Sequence, residues 1–393
     1  MSRIDELIND LCPDGVEFLP LEVIFELRNG YTPSKSRQDY WTGGSIPWFR
    51  MDDIRTNGRV LSDSLQHVTA KAVKGGEPFP ANSIIMSTSA TVGEHALITV
   101  ESLANQRFTY LTLKDPYQSL ITPKFAFYYS FVLGDWCTRH TTESSFKSVK
   151  MHEFKRFRFP IPPLEVQREI VRILDTFTEL EAELEAELEA ELEARKKQYE
   201  FYRNQFLTSF PGVYSTKSLK EIADLKAGKH LPRKHISSTP NSRSQYPVFG
   251  GNGIRGYTDK YSNMGEHPII GRQGALCGNV RWASGKFNAT EHGVVATPNQ
   301  DINSRWLFHK LVSMELNQYA TKSAQPGLAV RKLETLRVEV PQKEQQDKIV
   351  DILDRFDVLI SDLTYGLPAE IEARRKQYEY YRDKLLTFKV KES

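Results

Sequence analysis

Cysteine is scarce. The three in this 393-residue chain, Cys12, Cys137 and Cys277, are odd in number and far apart. They form neither a disulfide framework nor a CxxC metal knuckle. No apolar run approaches the roughly 18 residues of a membrane span. The opening stretch "MSRIDELINDL" is short and acidic, which is not the plan of a secretory signal. A reduced, cytoplasmic protein with no membrane contact is expected. Catalytic signatures are missing too. There is no GxxxxGK[ST] phosphate loop, no HExxH and no Asn-Pro-Pro-Tyr-type tetrapeptide of an adenine-N6 methyltransferase. The nine histidines are scattered, with His230 and His235 in a basic loop that fits solvent or an anion better than a metal. "GGNGIRG" (250–256) has dinucleotide-loop glycines, but no helical pattern follows it directly. "EFK" (153–155) is one fragment of a nuclease-like set, and a surface charge cluster explains it as well.

Net charge is only +2, but it is unevenly spread. Residues 179–194 hold eight Glu and no base. Residues 212–340 hold 18 Lys/Arg against nine Asp/Glu, and residues 13–160 hold 17 against 15. The basic second half points to an anionic partner, nucleic acid first.

The chain repeats itself. "PPLEVQREIVRILDTF" (162–177) aligns with "PQKEQQDKIVDILDRF" (341–356) at an offset of 179. "EARKKQYEFYRN" (193–204) aligns with "EARRKQYEYYRD" (372–383) at the same offset. Weaker echoes precede each copy: "LEVIFELRNG" and "LKEIADLKAG", "SIPWF" and "QYPVF", "IIMSTSATVG" and "IIGRQGALCG". The order is globular, helix, globular, helix. Both globular stretches, about 13–160 and 212–340, combine short apolar runs with Gly/Pro-rich loops, which reads as irregular strands. Segments 123–136 and 304–320 carry helical apolar spacing, so one or two helices should pack beside each sheet.

The first long helix is predicted over 164–208, about 68 Å at 1.5 Å per residue. Apolar residues at 166, 170, 173, 174 and 177 form its opening stripe. It then runs into Glu-Leu-Glu-Ala, written four times from Glu179 to Ala194. A helix this long needs a partner, and the second copy, 343–387, supplies one. Leu180, Leu184, Leu188 and Leu192 align with Leu359, Leu363, Leu367 and Ile371 as helix–helix packing positions. Four-residue spacing turns the stripe about 40° per repeat, so a crossing over limited contact fits better than a long coiled coil. Gly366 and Pro368 should kink the second helix or start a new segment.

Polar and basic side chains are interleaved with aromatics in loops. In the first globular stretch these are Tyr31, Thr32, Lys35 and Arg37; Trp48, Arg50 and Arg55; Ser87, Thr88 and Ser89; and Gln106 and Arg107. In the second they are Lys229, His230, Arg233 and Lys234; Arg255 and Tyr257; and Arg272 and Gln273. Such residues can bond base edges and phosphates. Ordinary surface loops are the alternative.

The duplicated "IVRILD…RKKQYEFYR" and "IVDILD…RRKQYEYYR" helices, with "GYTPSK…YWTGGSIPW" and "IIGRQGALCGNV", resemble the specificity subunits of type I restriction–modification systems over nearly the whole chain. The resemblance implies an α+β fold: two mixed α/β target-recognition domains separated by two long helices that pack together, with a pseudo-twofold internal repeat. The expected parts are 1–160 (helix end plus first recognition domain), 161–210 (first long helix), 211–340 (second recognition domain) and 341–393 (second long helix). It further implies a chain that catalyses nothing and has no cofactor or metal of its own. Each domain would read half of a split double-stranded DNA target across a fixed gap. Two methyltransferase subunits using S-adenosylmethionine would dock, and restriction subunits using ATP and Mg²⁺ could join. By the same analogy the N-terminal residues look like a helix end that lies near the C-terminal helix.

Tyr199, Tyr202 and Phe206 share one helix face, and Tyr378, Tyr381 and Leu385 repeat them. They are candidate subunit-docking anchors, or they bury against their own domains. Two other readings compete. A fragment of a fused restriction–methylation enzyme is disfavoured by the initial Met and the complete duplication. A structural scaffold is disfavoured by the basic second domain.

Overall fold

The computed structural model describes residues 3–142, 147–274, 276–322 and 326–391, with the side chains of 361–365 outside the description. The chain divides into two compact units, Met1–Glu185 with Glu370–Ser393, and Ala186–Ala369. Each long helix is therefore shared between them. The first spans Leu164–Ser209 and the second Lys343–Leu385.

The two units share a core element order, to which unit 1 adds the helix Met51–Asn57 and the edge strand Val60–Leu61. Each is closed by an antiparallel clasp, Glu17–Pro20 on Arg158–Ile161 in unit 1 and Tyr214–Ser218 on Arg337–Pro341 in unit 2. A one-turn helix follows the clasp's first strand, Leu21–Ile24 or Leu219–Ile222. Ser218 and Glu221 form a capping box that starts the second of these.

The main sheet of unit 1 runs Phe25–Asn29, Phe108–Leu113, Ser83–Ser87, His95–Ile98, Val60–Leu61. That of unit 2 runs Ala223–Ala227, Gly293–Pro298, His267–Gly271, Val280–Ala283. Beside each lies a smaller sheet built on a parallel pair. Phe49 faces Ala104 in unit 1, and Phe249 faces Ala289 in unit 2. The three weak sequence echoes thus occupy matching places. "GGNGIRG" ends one strand and begins the next, Tyr246–Gly250 turning into Gly253–Thr258.

One longer helix packs on each main sheet, Pro123–Arg139 or Ser304–Ser313. Thr122 caps the first, with Pro at its opening position, and the Asn303 side chain caps the second. Leu21, Ile24, Phe125 and Phe159 are buried in unit 1, as are Leu219, Ile222, Trp306 and Leu307 in unit 2.

The long helices enter these cores through their first turns. Val166, Ile170 and Leu174 are fully buried in unit 1, and Ile349 and Leu353 in unit 2. Each such side chain contributes about 1.5–3 kcal/mol. Two buried glutamines fix the entry. Gln167 donates to the carbonyls of Leu120 and Pro162, both at 2.7 Å, and Gln346 donates to those of Asp301 (3.2 Å) and Pro341 (2.9 Å).

The "ILD" aspartates of the two copies complete the joint. Lys124 (2.7 Å) and Tyr128 (2.6 Å) bond Asp175, while Arg305 (2.6 Å) and His309 (3.3 Å) bond Asp354. In both units the two partners lie four residues apart on the sheet-packed helix, so one helix face grips one carboxylate.

Beyond these turns the predicted packing stripe behaves unevenly. Leu184, Leu188, Leu192, Leu367 and Ile371 are half-buried. Leu180 is 54% exposed and Leu359 59%, so neither contributes much to a helix–helix seam. The 40° advance per repeat turns the stripe away from any single neighbour. The side chain of Leu363 lies outside the described residues. The second helix does not restart at Pro368, which sits inside it and removes one helical N–H donor. The N-terminal helix, Arg3–Leu11, packs Ile4 into the core that holds Leu386. Val16 accepts from Lys391 N at 2.9 Å and donates to the Lys389 carbonyl at 2.8 Å, so the N-terminal segment does lie beside the end of the second helix.

Candidate nucleic-acid interface

Sheet register brings distant polar loops to one edge. In unit 1 Asn29 faces Thr109 and Ser87 faces Phe108. The loop after Asn29, the turn before Phe108 and the loop after Ser87 therefore emerge at the same end of the main sheet. In unit 2 Ala227 faces Val294 and Gly271 faces Gly293, which gathers the corresponding three loops.

A glycine makes each crossing feasible. A Cβ on Gly30 would lie 2.5 Å from the Ala104 and Asn105 carbonyl oxygens. On Gly228 it would lie 2.1 Å from that of Ala289 and 2.5 Å from that of Thr290. Only glycine fits such a backbone approach.

In unit 1 Thr32 donates to Gln106 Oε1 at 2.5 Å, and Thr88 N donates to the Arg107 carbonyl at 2.9 Å. Gln106 and Arg107 are exposed, while Thr32, Thr88 and Ser89 are half-buried beside them. Trp48 and Ser87 are buried, so they support the loops from inside and do not present themselves. Trp48 Nε1 donates to the Tyr31 carbonyl at 3.0 Å, and the Tyr31 hydroxyl donates to that of Ala72 at 3.3 Å. Arg50 lies over the Trp48 ring at 5.6 Å. Lys35 and Arg37 are exposed further along the same loop. Arg37 is bound through two nitrogens to Asp39, both at 2.9 Å, which raises its already high pKa. Arg55 stands exposed on the separate helix Met51–Asn57.

In unit 2 Lys229, His230, Arg233 and Lys234 are exposed on the loop after Ala227. Arg255 and Gln273 line one shallow cleft of about 610 Å³ with Asn252, Ile254, Leu276 and His292. Arg272, next to Gln273 in the chain, is half-buried, its backbone N donating to the His292 carbonyl at 3.0 Å. Tyr257 is half-buried and exchanges backbone bonds with Ser237.

Four cleft-side residues were missed by sequence reasoning: Asn252, Arg281, Glu291 and His292. Arg281 Nη2 approaches Asn252 Oδ1 at 3.5 Å. Glu291 Oε1 bonds His230 at 2.9 Å and lies 3.3 Å from His292 Nε2. Burial raises the Glu291 carboxyl, but the His230 hydrogen bond and both histidine charges outweigh it, leaving it below the usual range. The signal for Glu291 and His292 was their place just before an apolar strand, the place that Gln106 and Arg107 hold in the first copy.

The helix-end aromatics divide. Tyr199, Phe206, Tyr378 and Leu385 pack partly buried against their own cores. Tyr202 stacks on Phe356 at 6.1 Å, and Tyr381 is 43% exposed. Phe201 and Tyr380, one position earlier in each copy, are more exposed still, at 64% and 63%.

Among the described residues, His309, Asp354 and Asp357 approach closely enough to hold an ion. Arg305 already bonds both carboxylates, at 2.6 and 2.9 Å, and supplies the positive charge there. "EFK" lies on the helix Met151–Arg156, where Glu153 pairs with Lys150 at 3.3 Å. No helix among the described residues is long and apolar enough to cross a membrane.

Two topologically equivalent units, each gathering polar loops at one sheet edge and each anchoring a long helix, define a duplicated recognition protein. The family model for the type I restriction modification DNA specificity domain matches twice, over residues 13–194 and 211–373, and the chain belongs to that family. It is 55% identical over 373 residues to the Escherichia coli type I restriction enzyme EcoprrI specificity subunit, covering 93% of this chain and 92% of that one. It is 32% identical to the E. coli EcoR124I/EcoR124II specificity subunit over 63% of this chain and 67% of that one. Two solved structures share the fold at 15% identity. One is a chain from work on complex assembly and conformational transition of the type I R-M system (TM-score 0.74, 95% and 97% covered). The other is the HsdS subunit from Thermoanaerobacter tengcongensis (TM-score 0.59, 95% and 96% covered). The chain is thus a DNA-specificity subunit, a recognition subunit and not a catalytic one.

Proposed function

We propose that this chain reads a split double-stranded DNA target, one half per unit, across a fixed gap. The observation that carries this reading is the repeated convergence of three polar loops at one sheet edge, around Gly30 in unit 1 and Gly228 in unit 2. Exposed Arg107, Lys229, Arg233 and Lys234 supply phosphate contacts, and Gln106, Arg255 and Gln273 supply base-edge contacts. The remaining loop residues, Trp48 and Ser87 among them, position these.

Two methyltransferase subunits dock on the duplicated helix ends, where Tyr381 is the most accessible of the candidates. Restriction subunits join the same assembly. S-adenosylmethionine, ATP and Mg²⁺ act in those partners in the cytoplasm, and this chain contributes specificity.

The Glu-Leu-Glu-Ala tract sets how far apart the two readers stand. Its leucines at 184, 188 and 192 are half-buried, and its glutamates give a solvated face unsuited to DNA. Methylation sequencing of a host carrying the chain and its partner subunits tests the reading. A modified motif of two short blocks around a constant gap supports it, and a contiguous motif overturns it.

A further inference from the structure

Backbone hydrogen bonds align the two units residue by residue at the loop end. Gly30 N donates to the Phe108 carbonyl as Gly228 N does to that of Gly293, both at 2.9 Å. Thr88 N donates to the Arg107 carbonyl at 2.9 Å as Arg272 N does to that of His292 at 3.0 Å. Phe108 therefore corresponds to Gly293, Arg107 to His292 and Gln106 to Glu291. Counting on from the two glycines, Thr32 corresponds to His230. The side-chain contacts obey the same correspondence: Thr32 holds Gln106 at 2.5 Å, and His230 holds Glu291 at 2.9 Å.

We propose that this dipeptide, Gln106–Arg107 in unit 1 and Glu291–His292 in unit 2, is the position at which each unit determines a base of its half-site. The proposal rests on the reading of the units as DNA readers and names residues within it. Thr32 and His230 are positioning residues that fix the side chain reaching the base.

The two positions differ in hydrogen-bonding character, and the difference has a direction. Gln106 keeps an amide that both donates and accepts, the pattern that matches adenine N7 and N6. Glu291 only accepts when ionised, and cytosine N4 offers a donor to such a group. One carboxylate oxygen takes both histidine contacts, and Glu291 Oε2 is buried without a hydrogen-bond partner. The Glu291 side chain as a whole stays 35% exposed, so it remains accessible to a donor on a base. His292 lines the adjacent cleft with Arg255 and Gln273, which places this position inside the surface that meets the ligand.

The test compares methylomes of hosts expressing the partner subunits with the wild-type chain, Glu291→Gln or Gln106→Glu. Glu291→Gln is expected to change the preferred base at one position of one half-site by roughly tenfold or more. The other half-site and the gap stay as they were. Gln106→Glu is expected to do the converse in the other half-site. Should a variant give no methylation, binding of the purified complex to duplexes substituted at each half-site position decides. Relaxation at one position supports the proposal, and uniform weakening at every position overturns it. Unchanged motifs in both variants, with wild-type methylation, also overturn it. A wild-type methylome without any split motif instead refutes the underlying reading.

Discussion

Gln167 Oε1 accepts a hydrogen bond from the Thr122 backbone N–H at 2.9 Å, tying the first turn of a long helix to the N-cap of the helix on the main sheet. Gln346 does the same for Asn303 N at 2.8 Å. One buried side chain thus serves an N–H and two carbonyls in each unit, and couples the recognition domain rigidly to the rod that carries it. Gln167→Ala strips all three partners and is expected to cost about 2–4 kcal/mol of stability. Urea denaturation of the chain checks this, with the exposed Gln205→Ala expected within about 0.5 kcal/mol of wild type.

The aspartate grip makes a separate prediction. Asp354→Ala leaves Arg305 on Asp357 alone and takes from His309 its hydrogen-bonded carboxylate, and should destabilise by about 1–2 kcal/mol, since Asp354 is partly exposed. Replacing both Arg305 and Asp354 with apolar residues of similar size should recover most of that loss. A double-mutant cycle from thermal denaturation reads the coupling directly.

His95 gives the chain a pH dependence. It is buried, its ring edge-on to Phe131 at 4.4 Å, and burial together with the Arg59 charge pushes its pKa down to about 3. The unfolded chain takes up this proton near the ordinary value of about 6.5. Its neutral form therefore contributes full stability above about pH 6.5 and loses it progressively as pH falls toward 3, at up to about 1.4 kcal/mol per pH unit. Denaturant midpoints at pH 7.5 and 5.5 should differ accordingly. His95→Gln should reduce that difference, with a remainder from His309, which burial also lowers.

Much of this joint was legible in the residues alone. The strict 179-residue offset exposed both long helices, and the apolar positions 166, 170 and 174 turned out fully buried. The 123–136 pattern became one sheet-packed helix, and the 304–320 pattern gave a shorter one that ends at Ser313, because Glu315 takes a left-handed conformation (φ 45°) that breaks it. The loop candidates were visible as types but not as a set, because register alone decides which loops share a sheet edge. Trp48 shows the limit: an aromatic among basic residues reads as a ligand contact, yet its indole is spent holding the Tyr31 backbone. Glu291 shows the converse: its place just before an apolar strand is a cue that gains meaning only when its contacts match those of Gln106. Leu180 and Leu359 looked like packing residues by period, and the turn of the stripe left them exposed.

The four-residue repeat predicts a length effect. Deleting Glu187–Ala190 shortens the first helix by about 6 Å and rotates its C-terminal half by about 40° against its N-terminal half. The gap between half-sites should shorten, and both half-site sequences should stay the same. Methylome sequencing of the deletion reads both at once, and altered half-site bases with an unchanged gap would refute a spacing role for the repeat.

Methylation sequencing of one host with and without this chain, its partner subunits present throughout, isolates what the chain contributes to target choice. A modified motif of two short blocks around a constant gap should be present with the chain and disappear when it is removed. Methylation that persists without the chain, or that falls on a single unbroken motif, would contradict the reading of a split target by this chain.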